Sequence, residues 1–426
     1  MTSTIAAPRP ASQSVASAAR DTFKGTPGRL RLAGIATVGA CLVFGLFAFI
    51  AATSRANALS SARADAAQLV RVQTIRTNLV YADANLTNAF LVGGLEPPSA
   101  RAAYEQGINT ALRTLADASG ENAQDAAELA GVNSVLGRYT GLVESARANN
   151  RLGYPLGAAY LRQATNLLRT DAMPPLADLG ATQQQRVDED FASSAHAMIW
   201  LVVGFVAALV VLLVVQGWLS LRTRRTFNRP LLLATAAVLV VGVALAGVMA
   251  WSQAKAKDIR SGAYFATVEL ATARIDAFDA KSAESLTLIA RGQGQAYEAR
   301  FVSLANNVTA ILVDSANRGG ANEAAAKNAF DKYQTMHRLI REEDNSGHWD
   351  QAVSLVTNNE SDSNASFNMF DQTSRNLLEQ RSAQVRNDLG TAGDLLMPLA
   401  WVALMTGIGA AVAAGLGIIS RLREYR

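Results

Sequence analysis

The groups in these 426 residues that could carry chemistry are three histidines, one cysteine and a few acidic clusters, and their spacing gives them little to do. His337 and His348 stand eleven residues apart, outside the i, i+3 or i+4 spacing that places two ligands on one helix face, and His196 sits alone at the edge of an apolar run. Cys41 has no partner for an intramolecular disulfide and no nearby histidine for a zinc set or a nucleophile pair. Asp188-Glu189-Asp190 and Glu342-Glu343-Asp344 attract cations, yet consecutive helical residues point in different directions, so both read as solvated faces. Gly292-Gln293-Gly294 opens a GxG pattern without a third glycine or a preceding strand, which makes it a turn rather than a phosphate cradle. No Gly-x-Ser-x-Gly, Walker or His-Glu-x-x-His pattern occurs. The expectation is a protein that is not an enzyme, with no catalytic residue, no metal and no cofactor. Binding chemistry remains. Glu96, Arg147, Asn149, Asn150, Arg151 and Tyr154 gather at two breaks in the helical pattern, Gly93 to Pro98 and Asn149 to Pro155. Arginines there, expected on the surface, suit a carboxylated ligand through charge-assisted hydrogen bonds or a protein partner through charge complementarity. The same Asn, Arg and Gly types also simply end helices.

The elements that must position these residues lie between membrane spans. Half of the chain is hydrophobic and only 17% is charged, against about 25% in soluble domains. Residues 32–52, 197–219, 231–251 and 395–420 contain no Asp, Glu, Lys, Arg or His, and each exceeds the ~18 residues that argue for a spanning helix. Basic residues crowd one set of ends: Arg20, Lys24, Arg29 and Arg31; Arg222, Arg224, Arg225 and Arg229; Arg421, Arg423 and Arg426. The positive-inside rule then places both termini in the cytoplasm of a multi-pass cell-membrane protein. The resulting order is a disordered cytoplasmic tail (1–29), span 30–52, exported segment 53–196, span 197–219, cytoplasmic loop 220–229, span 230–251, exported segment 252–394, span 395–420 and cytoplasmic tail 421–426. Val38-Gly39-Ala40-Cys41 and Ala56-Asn57-Ala58 mimic processing sites, but the apolar run continues past Cys41 and is longer than a signal h-region, so an uncleaved anchor is expected. A net charge of +4 gives no nucleic-acid footprint. Spans without ionisable groups disfavour a transporter. Gly409 and Ala413, Ala411 and Gly415, and Ala413 and Gly417 repeat at four-residue spacing, a helix-packing surface compatible with a homodimer.

The exported segments match each other. Ala103-Tyr104-Glu105 recurs as Ala296-Tyr297-Glu298 at an offset of 193, and Tyr139 and Gly153 recur as Tyr333 and Gly347 at 194. A near-constant offset is the mark of an internal duplication. Ile75, Leu79, Ala82, Leu86 and Ala89, and likewise Val268, Ala271, Ile275 and Phe278, follow the alternating three- and four-residue spacing of a bundle seam. Breakers at Gly93-Gly94, Ser119-Gly120, 149–155 and Met173-Pro174-Pro175, then at 292–294, 318–320 and 345–347, leave four main helices per segment. The fold class expected is therefore an all-α membrane protein with four transmembrane helices and two duplicated exported four-helix bundles.

That architecture resembles the sensory input module of chemoreceptors and sensor kinases. The stretch from Ala82-Asp83-Ala84-Asn85-Leu86-Thr87 to Gly93-Gly94-Leu95-Glu96-Pro97-Pro98, and that from Tyr139 to Gly153, resemble the actinobacterial GlnX-type membrane relay proteins. The resemblance implies a relay between an exported glutamine-binding-type solute-binding lipoprotein and a cytoplasmic Ser/Thr protein kinase of the G type, hence signal transduction in amino-acid sensing. The second segment departs from the pattern, with Glu343-Asp344-Asn345-Ser346-Gly347 where the first has Asn149-Asn150-Arg151-Leu152-Gly153. Two other functions fit the same elements: a direct small-molecule receptor and a structural membrane scaffold.

Overall fold

A computed structural model describes residues 25–223, 228–318, 321–358 and 362–423, and the described residues are helical apart from short turns. The helices are α1 (Gly25–Val92), α2 (Pro98–Glu121), α3 (Ala126–Arg151), α4 (Leu156–Leu167), α5 (Met173–Thr223), α6 (Arg229–Ile259), α7 (Phe265–Ile289), α8 (Gln295–Arg318), α9 (Ala321–Asn345), α10 (Trp349–Thr357), α11 (Asp362–Asp394) and α12 (Leu396–Arg423). Residues 1–24 of the expected tail lie outside the described residues, as do Arg224, Arg225, Arg426 and the side chains of His196, Arg222, Arg421 and Arg423.

The chain divides into two compact units. One holds the described residues up to Leu59, Phe191–Ala254 and those from Thr391 onward, and the four helical stretches long and apolar enough to cross a membrane all run through it. Leu46, Val214, Val240 and Leu416 stand exposed on them, as an apolar surface facing lipid requires. Within this unit α1 and α12 approach closely at Gly407, where an added Cβ would stand 2.6 Å from the Gly45 Cα. Two glycines let the backbones touch. Gly409, one of the small residues singled out by spacing, meets nothing within 4 Å. Phe47 stacks on Trp200 at 5.7 Å and Phe49 meets Trp401 edge-on at 5.0 Å. Both indoles remain half exposed, as expected of aromatic anchors near a membrane interface.

The other unit, Ser60–Asp190 with Lys255–Gly390, holds both exported segments. The two halves expected as duplicated bundles pack there against each other. Val80 and Ala84 of α1 belong to the core that Phe278, Phe330 and Phe370 build in the second half, and Leu286 of α7 belongs to the core of the first. A three-and-four spacing reports that a helix has an apolar stripe; α1 has two, one for each half. Tyr139 and Tyr333, paired by the 194 offset, are both fully buried.

Met173-Pro174-Pro175 does not break the chain as expected. Residues Leu168–Ala172 form a π turn, in which the Met173 N–H donates to the Leu168 carbonyl, and α5 starts immediately after it. The prolines thus fall at first-turn positions, where a missing N–H is tolerated. A second π turn, Arg260–Tyr264, joins α6 to α7. The second half also has an unexpected interruption, between α10 and α11.

Candidate functional site

The two sequence-predicted turns meet at one end of the first half. After Val92, Gly93 and Gly94 take φ of +69° and +65°, a region open to glycine at no steric cost, and the chain turns through Glu96 into α2, with Pro98 at its first position. At the other turn α3 ends on a left-handed Gly153 (φ +71°), whose N–H donates to the Asn150 carbonyl at 3.0 Å while the Tyr154 N–H donates to that of Asn149 at 3.0 Å. This closure satisfies the carbonyls that a helix end leaves open.

Arg147 joins the turns. Its Nε lies 2.8 Å from Glu96 Oε2 and its Nη2 donates to Glu96 Oε1 at 3.1 Å, an ion pair closed by one hydrogen bond; Nη1 donates to Glu144 Oε1 at 2.6 Å, and the guanidinium lies 4.4 Å from the centroid of the Tyr104 ring. Arg147 was expected to be exposed. It is 5% exposed, because a helix residue one turn before the end of α3 faces α2 and the incoming turn rather than solvent. Asn149 donates its amide to the Ser145 carbonyl at 2.8 Å. Arg151 and Tyr154 are exposed and Asn150 is half-buried. The six predicted residues therefore sit in one neighbourhood, with Glu96 and Arg147 inside it and Arg151 and Tyr154 on its surface.

What the sequence reading missed is the apolar surface these turns present. Leu95 is 76% exposed, Leu152 67% and Tyr154 56%, with Val92 and Leu156 exposed beside them. The signal was available, since apolar residues in turns have no seam to fill. The second half holds the same backbone shape without the surface. Gly347 is left-handed (φ +84°), its N–H donates to Asp344 and the His348 N–H to Glu343, each the 194-residue counterpart of a bond around Gly153. At the positions of Leu152 and Tyr154 stand Ser346 and His348. Ahead of Tyr104 the constant offset fails: the left-handed Gly93 and Gly292 stand 199 residues apart, although five residues separate the helices in each first turn.

Ionisable groups missed by motif search tie the interior together. Asp83 on α1 is fully buried and accepts from Thr165 Oγ1 at 2.8 Å, Tyr139 OH at 3.2 Å and, from the other half, Ser282 Oγ at 2.7 Å. Burial raises its pKa above the ordinary carboxylate range. Next to it Arg169 bridges to Asp279 at 2.6 Å, and Arg300 pairs with the same carboxylate. In the second half His337 stacks on Phe301 and lies between Glu284 Oε2 (2.7 Å from Nδ1) and Glu298 Oε1 (3.2 Å from Nε2). Burial pulls the His337 pKa down, and hydrogen bonds to the two carboxylates outweigh it, so the net shift is upward. No group of three or more His, Cys, Asp or Glu able to hold a metal ion occurs among the described residues.

No curated protein and no solved structure matches the chain. Residues 58–192, which contain the apolar tip, Arg147 and Asp83, match the family model for the actinobacterial sensor domain, and that match points to a sensing role for this stretch of a multi-pass membrane protein.

Proposed function

We propose that this protein is a transmembrane sensor with no catalytic activity of its own, which relays the docking of an exported solute-binding lipoprotein to a cytoplasmic Ser/Thr kinase at the cell membrane, in amino-acid sensing. The observation that carries the reading is the apolar tip. Leu95, Leu152 and Tyr154 stand exposed on two turns pinned together by the Arg147–Glu96 pair, beside the charged Arg151. A cluster of large apolar side chains rimmed by polar ones marks a protein-docking surface, and a buried ion pair beneath it holds the shape before the partner arrives. The sensor-domain match supports the sensing part of the reading, and the unbroken run of α1 from Gly25 to Val92 supplies an element along which a displacement travels. Placement of the termini and the 220–229 loop in the cytoplasm follows from the arginines. We read the second half as a duplicate whose tip has lost the docking surface: the turn hydrogen bonds persist while the apolar side chains do not. A docking partner shifts the protein between states only through different affinity for them.

The test is capture from the native membrane. Full-length protein solubilised in mild detergent should retain an exported solute-binding lipoprotein identified by mass spectrometry, and Leu152→Asp/Tyr154→Asp should lose it with unchanged helicity. Equal recovery by the variant, or recovery of no exported protein by the wild type, overturns the reading.

A further inference from the structure

A cleft of 440 Å³ opens in the helical unit between α1 and α2 of the first half and α7 and α11 of the second. Its wall carries Arg274, Arg375 and Arg386 against a single carboxylate, Glu379. Two of the arginines are engaged: Arg274 donates to Asp371 and Ser374, and Arg375 to Asp371, each at 2.6 Å. Arg386 is exposed and makes no hydrogen bond or ion pair among the described residues. On the opposite wall Gln106 and Thr110 of α2 present polar side chains.

Ser382 stands at the back. It is 5% exposed, and its hydroxyl has no hydrogen-bond partner. The same residue lines a small apolar void of 30 Å³ walled by Leu69, Val268, Ala271 and Val385. Buried polar groups are nearly always hydrogen-bonded, so an unpaired hydroxyl one helical turn from an unpaired guanidinium is unusual for a packing interface. Both are ordinary for a site whose polar guest completes them. The volume falls within the range of about 300–1,000 Å³ typical of small-molecule sites.

We propose that this cleft binds a small organic carboxylate with a compact apolar body. The carboxylate pairs with Arg386 and accepts from Ser382, while the apolar body lies toward Leu378 and the adjoining void. Glu379 in the same wall disfavours a polyanion such as a phosphate. A ligand held between α1 and α11 touches both halves at once, so it would bias how they pack. The site is independent of the docking tip and gives the sensor a second input.

Isovalerate serves as the probe, titrated calorimetrically into the full chain in nanodiscs, with isovaleramide as its uncharged isostere and inorganic phosphate as a control anion. Saturable isovalerate binding is expected, weakened about tenfold or more by Arg386→Gln and reduced by Ser382→Ala, with no binding of isovaleramide. Arg386 has no partner to lose, so its variant leaves the fold intact. Absence of saturable isovalerate binding, equal binding by Arg386→Gln, or equal binding of isovaleramide or phosphate overturns the proposal. The Leu152→Asp/Tyr154→Asp protein should bind isovalerate like the wild type, which keeps this outcome separate from that of the docking surface.

Discussion

Replacing Arg147 with alanine strips Glu96 of its ion-pair partner while leaving the carboxylate 11% exposed. Three interactions disappear together, and they differ in weight. Glu144 is 62% exposed, so its bond to Arg147 is screened by water and contributes under about 1 kcal/mol. The guanidinium over the Tyr104 ring, at 4.4 Å and away from solvent, adds about 1 kcal/mol. Removing one member of a buried ion pair costs about 3–5 kcal/mol, and the position of Glu96 near the rim selects the lower end, about 3 kcal/mol. The tip should therefore lose roughly 4 kcal/mol of local stability, which raises the population of its open state by about a thousandfold. Hydrogen exchange followed by mass spectrometry reads this at the amides of Gly153 and Tyr154, which are bonded to Asn150 and Asn149 only while the turn is closed. Arg151→Ala, on an exposed side chain, should exchange like the wild type. Arg147→Met/Glu96→Leu should recover most of the protection, since an apolar pair of similar volume leaves no stranded charge. Unchanged exchange in Arg147→Ala, or a double variant no better than the single one, would refute this account of what holds the tip.

His337 makes stability depend on pH. Its folded pKa is raised, so its contribution is complete below the unfolded value of about 6.5 and is lost as pH rises through the folded value; Glu298, half-buried but lowered by His337 and Arg341, contributes above about 4.5 and loses its contribution as pH falls. Thermal unfolding should show a maximum between those limits, and His337→Gln should flatten the alkaline side. Asp83→Asn removes a charge that burial disfavours while keeping an acceptor for Tyr139 and Thr165, and should shift stability by less than about 1 kcal/mol; Asp83→Leu strands three buried hydroxyls and should cost at least about 2–3 kcal/mol in denaturant unfolding. In a Cys41→Ala background, a cysteine at Asn317 should react with an impermeant maleimide on intact cells and one at Thr223 should not; the reverse pattern sinks the assigned orientation.

Legibility in the sequence followed the reach of each physical signal. The four spans are readable because lipid demands about twenty consecutive apolar residues, a local property that nothing downstream can disguise. The turns at Gly93 and Gly153 are readable for a similar reason, since a left-handed residue after a helix calls for glycine. Pairing between distant residues is not local. Arg147 at a helix end reads as a solvated last-turn cation, and only the approach of Glu96, fifty-one positions away, turns it inward. Asp83 sits one residue past Ala82 of the predicted seam, and its burial follows from a second half that packs on the opposite face of α1. The proline pair at 174–175 misled because the breaking rule assumes regular α-helix on both sides, whereas a π turn changes the register just before it.

The turns at Gly153 and Gly347 share backbone bonds and differ in chemistry, and that division bears on how a signal would leave the tip. Around Gly153 and Gly347 the bonds donated by Gly153, Tyr154 and Gly157 recur at Gly347, His348 and Gln351, so the fold constrains the backbone in both places. Nothing in that fold requires Leu152 and Tyr154, whose side chains face solvent, where Ser346 and His348 serve equally well. The first tip alone therefore carries apolar area that a partner could cover. Its support, however, is not confined to the first half. Asp83 reaches Ser282, and Val80 and Ala84 fill the second core, all from α1, which ends at the tip; Arg169, in the π turn after α4, reaches Asp279. Close-packed interiors transmit displacement rather than absorb it. A shift of α1 caused by docking must then either break these bonds, which strands a buried carboxylate, or carry the second half with it. The lower-energy course is concerted motion, so if the proposed docking displaces α1, the second half moves with it.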